Sequence, residues 1–351
     1  METASALVEH VAYVRDSMPS GVTVARDGRI FLCFPRWVDN VPFTVGELHG
    51  DGSISAFPDA LRNRLGLWDS IHHFISVQSV QASRDGTLWV LDTGRPYYMP
   101  ALPGGAKLVE VDIVSGALRR TYVIPHGIAR FTTYLNDFRI AQSYGNAGTV
   151  FITDSAIAGP SAFIVIDIAT GKKMRRLDNH ATVNPDPAVD PIIDRERLKW
   201  RFPLGLTFPY RNGVDGIALS PDEKTLYYCP LSSRHLYSLD AAMLADPSQS
   251  DAAVAATIRD LGEKSVSDGL ECDAAGCVYA SDIEHRQIMR RTPAGAWSVF
   301  ARDDRMLWTD TLCIADDGFL YFTANQVQRM WPFHAGRDMR ERPYAVLRAR
   351  M

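Results

Sequence analysis

Three carboxylates recur at one place in a repeated phrase. Asp215 opens "DGIALSPDEKTLYYC", Asp268 opens "DGLECDAAGCVYASD" and Asp310 opens "DTLCIADDGFLYFT". The same register in three further segments holds Ser20, Gln78 and Asn136, with Asp137 beside the last. Asn and Asp often begin strands by capping their own backbone, which accounts for one or two such residues but not for six polar ones in register. Carboxylates brought together repel unless they share a proton, hold a cation or meet a cationic ligand. The pattern therefore points to one of three chemistries: an acid/base pair with a raised pKa, a hard ion such as Ca2+, or a pocket for an amine. Asp215, Asp268, Asp310 and Asn136 are the candidate catalytic residues.

Gln78, Asp137 and Ser20 are candidate ligand contacts. Phe34, Trp37, Tyr97 and Trp308 are aromatics able to stack on a cationic or aromatic guest. His73, beside His72 just ahead of the second repeat, is a candidate contact or a packing residue. The chain has no HExxH, no Cys/His spacing suited to zinc, no GxSxG elbow, no P-loop and no GxGxxG.

The elements that must position these residues are written in the repeat. Each copy is an apolar run, a turn rich in Asp and Gly, and a second apolar run. The runs are aromatic and β-branched and the turns suit tight hairpins. Six copies start near residues 21, 79, 137, 216, 269 and 311, so successive starts lie 42 to 79 residues apart. A four-stranded propeller blade takes ~40–50 residues, which predicts an all-β chain folded as one six-bladed β-propeller over 1–351, its blades closing on themselves to hide sheet edges. Two tandem β-sandwiches would need a linker near the middle, and none is evident. The widest gap holds "NPDPAVDPIIDRERLKWRFPLGLTFPYRNG" (184–213), expected as a long inserted loop between blades 3 and 4. The "SLDAAMLA" stretch (238–245) predicts a short helix capped by Asp240. Either "LVEHVAYV" (7–14) or "PYAVLRA" (343–349) is placed to close the ring. The acids of the second runs, Asp92, Asp154 and Asp282, read as loop-bonding residues.

Composition narrows the partners. A net charge of −4 and a pI near 6.1 lack the basic excess of a nucleic-acid surface. No apolar stretch approaches the ~18 residues that would span a membrane. The five cysteines (Cys33, Cys229, Cys272, Cys277 and Cys313) are few and odd in number, as in a reduced compartment. The opening "METASALVEHVAYVRD" has no basic n-region or long apolar core. The expectation is a cytoplasmic protein whose partner is a small molecule.

The phrases "IFLCFPRWVDNVPFTVGEL" (30–48), "GTLWVLDTGRP" (86–96), "VFITDS" (150–155), "GIALSPDEKTLYYCPLSSRHLYSL" (216–239) and "LYFTANQVQRM" (320–330) resemble, in order and over nearly the whole chain, the major royal jelly protein/Yellow family. That resemblance implies a six-bladed propeller. It also implies either dopachrome-type tautomerisation or the binding of biogenic amines, as known for some Yellow members. The chain is also similar in kind to the regucalcin/gluconolactonase propellers, metal-dependent lactonases, which would put Asn136, Asp215 and Asp268 on the metal. It departs from them in blade 1, where Ser20 and Gly21 stand in place of that group's Glu. Fold alone licenses no activity. The expectation is a Yellow-type enzyme doing acid/base chemistry, with a lactone hydrolase and a non-catalytic binder of aromatic amines as alternatives.

Overall fold

The computed structural model describes residues 5–156 and 158–351. Their β-branched and aromatic runs form six four-stranded antiparallel sheets. Blade 1 is Gly21–Val24, Ile30–Cys33, Val45–Leu48 and Ile54–Ala56. Blade 2 is Val77–Ala82, Thr87–Asp92, Lys107–Asp112 and Leu118–Val123. Blade 3 is Leu135–Ala141, Thr149–Asp154, Ala162–Asp167 and Lys173–Arg176. Blade 4 is Val214–Leu219, Thr225–Pro230, His235–Asp240 and Arg259–Glu263. Blade 5 is Leu270–Cys272, Val278–Asp282, Gln287–Arg291 and Trp297–Arg302. The fold is a six-bladed β-propeller. The six repeats mark the first strand of each blade to within three residues.

Blade 6 answers which terminus closes the fold. Trp308–Ile314 and Phe319–Asn325 are joined by Tyr344–Arg350 from the C-terminal end, and Val8–Val14 from the N-terminal end pairs outside that strand. Both candidate segments are used, one after the other.

The repeated turns fold as hairpins because glycine supplies a left-handed residue. Gly86 (φ 80°) ends the turn of "RDG" and Gly318 (φ 82°) that of "DDG", positions where a side chain would be strained. The predicted helix is present as Ala241–Ala245, with the Asp240 carboxylate accepting from Met243 N.

Residues group into two compact units. One holds blades 1 and 2 with nearly all of blade 6, and the other holds blades 3, 4 and 5. In the first, Phe31, Phe57, Phe74, Val90 and Val109 pack blade 1 on blade 2. In the second, Phe151, Phe163, Val165, Tyr228 and Leu239 pack blade 3 on blade 4. A fully buried side chain of this size contributes about 1.5–3 kcal/mol. Residues 184–213 carry two short hairpins, Ile192–Ile193 with Glu196–Arg197 and Lys199–Arg201 with Thr207–Pro209. Trp200 fixes the second by stacking on Phe333 at 4.7 Å and on Phe202 at 6.1 Å.

Candidate functional site

Four of the polar residues near the starts of the repeats sit where pairing slips. Asn136 and Asp137 lie in the register shift between Leu135 and Phe138. Asp215 lies in that between Val214 and Ile217, and Gln78 in that between Val77 and Ser79. A bulge puts two residues opposite one and re-aims their side chains. These polar residues are therefore strand bulges rather than Asx caps.

Each bulge is braced by a hydroxyl or thiol on the second strand of a blade. Thr153 Oγ1 accepts from Asp137 N at 2.9 Å and donates to Asp215 O at 3.0 Å, so it ties blade 3 to blade 4 at the acid. Cys33 Sγ donates to Gln78 O at 3.0 Å, and Thr323 Oγ1 to Ser20 O at 2.8 Å. Blades 4 and 5 approach so closely that a side chain at Gly216 would meet Asp268 O at 2.4 Å. Only glycine fits there.

In the unit of blades 3–5 this bracing brings two carboxyls together. Asp215 and Asp268, 2% and 7% exposed, hydrogen-bond to each other. Trp308 Nε1 donates to Asp268 Oδ2 at 2.6 Å, and Asn212 Nδ2 to Asp215 Oδ2 at 3.0 Å. Burial pushes the Asp268 carboxyl up to about 6, helped by the charge of Asp137, while the bonds from Trp308 and with Asp215 hold it down. Two carboxyls in this arrangement titrate as a pair.

Asn136 is buried and its amide donates to Ser155 Oγ at 2.8 Å, leaving its carbonyl oxygen uncommitted to that bond. Asp137 pairs with Arg139 at 3.0 Å. Arg139 also donates to Leu270 O at 2.7 Å and pairs with Glu271 at 3.5 Å, joining blade 3 to blade 5. Burial raises Glu271 despite that guanidinium.

The remaining candidates belong to the other unit. Asp310 is buried and accepts from Asn325 Nδ2 at 2.8 Å. Gln78 is buried, and its carbonyl takes the Ser20 hydroxyl at 3.1 Å as well as the Cys33 thiol. Ser20 is fully buried, with its hydroxyl spent on that bond and on Cys33. Trp37 is buried. His73 sits in a surface turn, its Nδ1 2.8 Å from Leu61 O and its ring against Gly66.

The second-run acids bond loops. Asp92 accepts from Ile75 N, Ser76 N, Gly94 N and Lys107 Nζ. Asp154 accepts from Tyr134 N, Thr133 Oγ1 and Arg175. Asp282 bonds His285 and Gln287. Asp282, Glu284 and His285 lie close enough to hold an ion, but Glu284 is engaged by both Arg234 amines at 2.7 and 2.8 Å.

Sequence reasoning passed over Asn212 and Arg139. Asn212 stands three residues before Asp215 in "RNGVDG", and Arg139 lies two residues beyond Asp137, the same-face spacing of a strand. The first part of 184–213, through the first hairpin, crosses this end of blades 4 and 5. Asp186 N bonds Ser232 O at 2.8 Å, Ile192 N bonds Glu284 at 2.8 Å, and Asp194 pairs with Arg286 at 2.6 Å. Ser232, Glu284 and Arg286 follow the second strands of their blades, where antiparallel pairing places the starts of the first strands.

The sequence pattern described as Major royal jelly protein matches residues 75–351. The chain belongs to the major royal jelly protein family. Among its relatives in this family, Protein yellow of Drosophila erecta is 24% identical over 253 residues, covering 68% of this chain and 43% of that protein. This royal jelly family chain spans less than half the length of the curated relatives it matches. Among solved structures, a gluconolactonase from Xanthomonas campestris is similar with a TM-score of 0.59 at 12% identity, over 99% of this chain and 90% of that one. Regucalcin from Agrobacterium tumefaciens, a calcium-binding protein, is similar with a TM-score of 0.57 at 14% identity, over 99% and 95%. Both are likenesses of fold.

Proposed function

We propose that this protein is a small-molecule enzyme of the Yellow type, with Asp215 and Asp268 as a proton-sharing pair for tautomerase- or isomerase-like chemistry. The observation that carries this is the buried hydrogen bond between the two carboxyls, with Asp268 raised to about 6. A pair holding one proton presents a base and an acid at once. The carboxylate removes a proton from carbon next to a carbonyl or imine. The protonated partner gives its own to the other end of the conjugated system, and the pair is restored with its roles exchanged. Acid/base help of this kind is worth roughly 10²–10⁴-fold. Trp308 and Asn212 act as positioning residues, each holding one oxygen of one acid. A screen of catechol-derived iminochromes and other tautomerisable compounds tests the reading, with Asp268→Asn and Asp215→Asn each expected to lose roughly a hundredfold or more in rate. Undiminished turnover by both variants contradicts it.

A second reading, a metal-dependent lactonase, is supported by the fold likeness to a gluconolactonase and by the donor set. Asn136 Oδ1 and one oxygen each of Asp215 and Asp268 are hard ligands suited to Ca2+ or a similar ion, while the other oxygen of each acid is held by Asn212 or Trp308. When bound, such an ion would polarise a lactone carbonyl and activate water. The two readings separate on elemental analysis of protein purified without chelator. A stoichiometric divalent ion lost in Asp268→Ala favours the lactonase, and turnover that persists in chelator favours the acid pair.

A further inference from the structure

The unit of blades 1, 2 and 6 contains a crevice of about 360 Å³ that uses none of the acids described above. This volume lies within the range of small-molecule sites, roughly 300–1,000 Å³. One wall comes from the end of the outermost strand of blade 6 and the turn after it, the other from blade 1. Phe34 and Phe43 meet edge to face at 5.7 Å and, with Ile54, make an apolar floor. Ser17 lines the same crevice. The residue is 5% exposed and among the described residues its hydroxyl has no hydrogen-bond partner, whereas buried hydroxyls are normally satisfied. The mouth carries Arg15 and Asp16, both exposed, and among the described residues neither is engaged by another side chain.

An apolar floor, an orphan hydroxyl and one free charge of each sign make a mouth complementary to a zwitterion with a hydrophobic tail. We infer that this crevice binds a free α-amino acid with a large apolar or aromatic side chain. Its carboxylate lies on the Arg15 guanidinium, its ammonium on Asp16, and its side chain against Phe34 and Phe43. The Ser17 hydroxyl completes the hydrogen bonds at the carboxylate end. Two adjacent residues of opposite charge select against ligands carrying only one of the two groups, because the other charge is then left desolvated and unpaired.

Calorimetric titration of the whole chain with L-phenylalanine tests the site, with 3-phenylpropanoate (no ammonium) and 2-phenylethylamine (no carboxylate) as controls. The expected result is one molecule bound per chain, both controls weaker by roughly tenfold or more, and a similar loss for Arg15→Ala and for Asp16→Ala. Both side chains are exposed, so these variants keep the fold. Asp268→Asn is expected to bind L-phenylalanine as the wild type does. No binding at millimolar L-phenylalanine, controls that bind equally well, or binding unmoved by Arg15→Ala and Asp16→Ala overturns the inference. Binding lost in Asp268→Asn overturns it too, because the ligand would then belong to the acid pair.

Discussion

Trp308 Nε1 lies 2.6 Å from Asp268 Oδ2, and the same carboxyl is hydrogen-bonded to Asp215. An indole N–H can donate but never accept, so it stabilises the ionised form of Asp268. A buried carboxyl is thus held near the middle of the useful pH range. Burial alone would drive it higher, and an exposed site would let it fall.

Removing the indole donor should release that restraint. In Trp308→Phe, Asp268 titrates higher than in the wild type, and at alkaline pH the variant loses roughly 1.5–3 kcal/mol, the worth of a hydrogen bond to a charged group, besides the lost packing. Urea unfolding at pH 5 and pH 8 checks this. The cost should be larger at pH 8, where Asp268 is ionised, and an equal cost at both values would mean that only packing was lost.

The raised pKa of Asp268 also sets a sign for stability against pH. A carboxyl that holds its proton more tightly folded than unfolded contributes stability below its unfolded pKa, and that contribution is lost as pH rises through the folded one. The rise from 3.8 to about 6 is worth on the order of 3 kcal/mol. Wild-type stability should therefore fall relative to Asp268→Asn between pH 4 and pH 8 by about that amount. The difference between the two proteins cancels the other carboxylates. A difference that stays flat with pH would contradict the assignment.

Asn212 holds Asp215 Oδ2 at 3.0 Å and touches the proposed reaction only through that acid. Asn212→Ala should cost about 1 kcal/mol in stability and lower kcat by roughly tenfold, since small losses of alignment are expensive in rate. KM should stay nearly unchanged, and Asn212→Gln should recover part of the rate. A rise in KM alone would make Asn212 a substrate contact instead.

In the other unit, Asp92 takes the Lys107 ammonium at 2.9 Å where both side chains are almost wholly buried. Asp92→Ala leaves that ammonium without its counter-charge and strips three backbone N–H groups of their acceptor, so a loss of roughly 3–5 kcal/mol is expected. Thermal unfolding measures it. A loss below about 1 kcal/mol would mean that the loop acids are dispensable.

Much of the fold was legible because two-residue alternation and Asp/Gly turns recur six times. The starts near 21, 79, 137, 216, 269 and 311 fall on first strands for that reason. Closure was not legible, because both terminal segments alternate well and blade 6 uses both. The site was half legible. A polar residue at the start of an apolar run is visible, but the bulge that turns Asp215 aside depends on the register of its partner strand. That Asp268 meets Asp215 depends on how closely blades 4 and 5 approach at Gly216, which no single-chain pattern encodes. Arg139 was missed because a lone arginine in a strand reads as solvated, and only the structure shows its bond to Leu270 in blade 5.

The central claim is that Asp215 and Asp268 share a proton near neutrality, and the most direct test is to titrate their carboxyl carbons. In protein labelled with ¹³C at the aspartate carboxyls, one resonance absent from Asp268→Asn should titrate at about 6. It should move in Asp215→Asn, because the two groups titrate together. A spectrum in which every aspartate is ionised by the ordinary carboxylate range, near 4, with no response to Asp215→Asn, would contradict the shared proton and the acid/base function built on it.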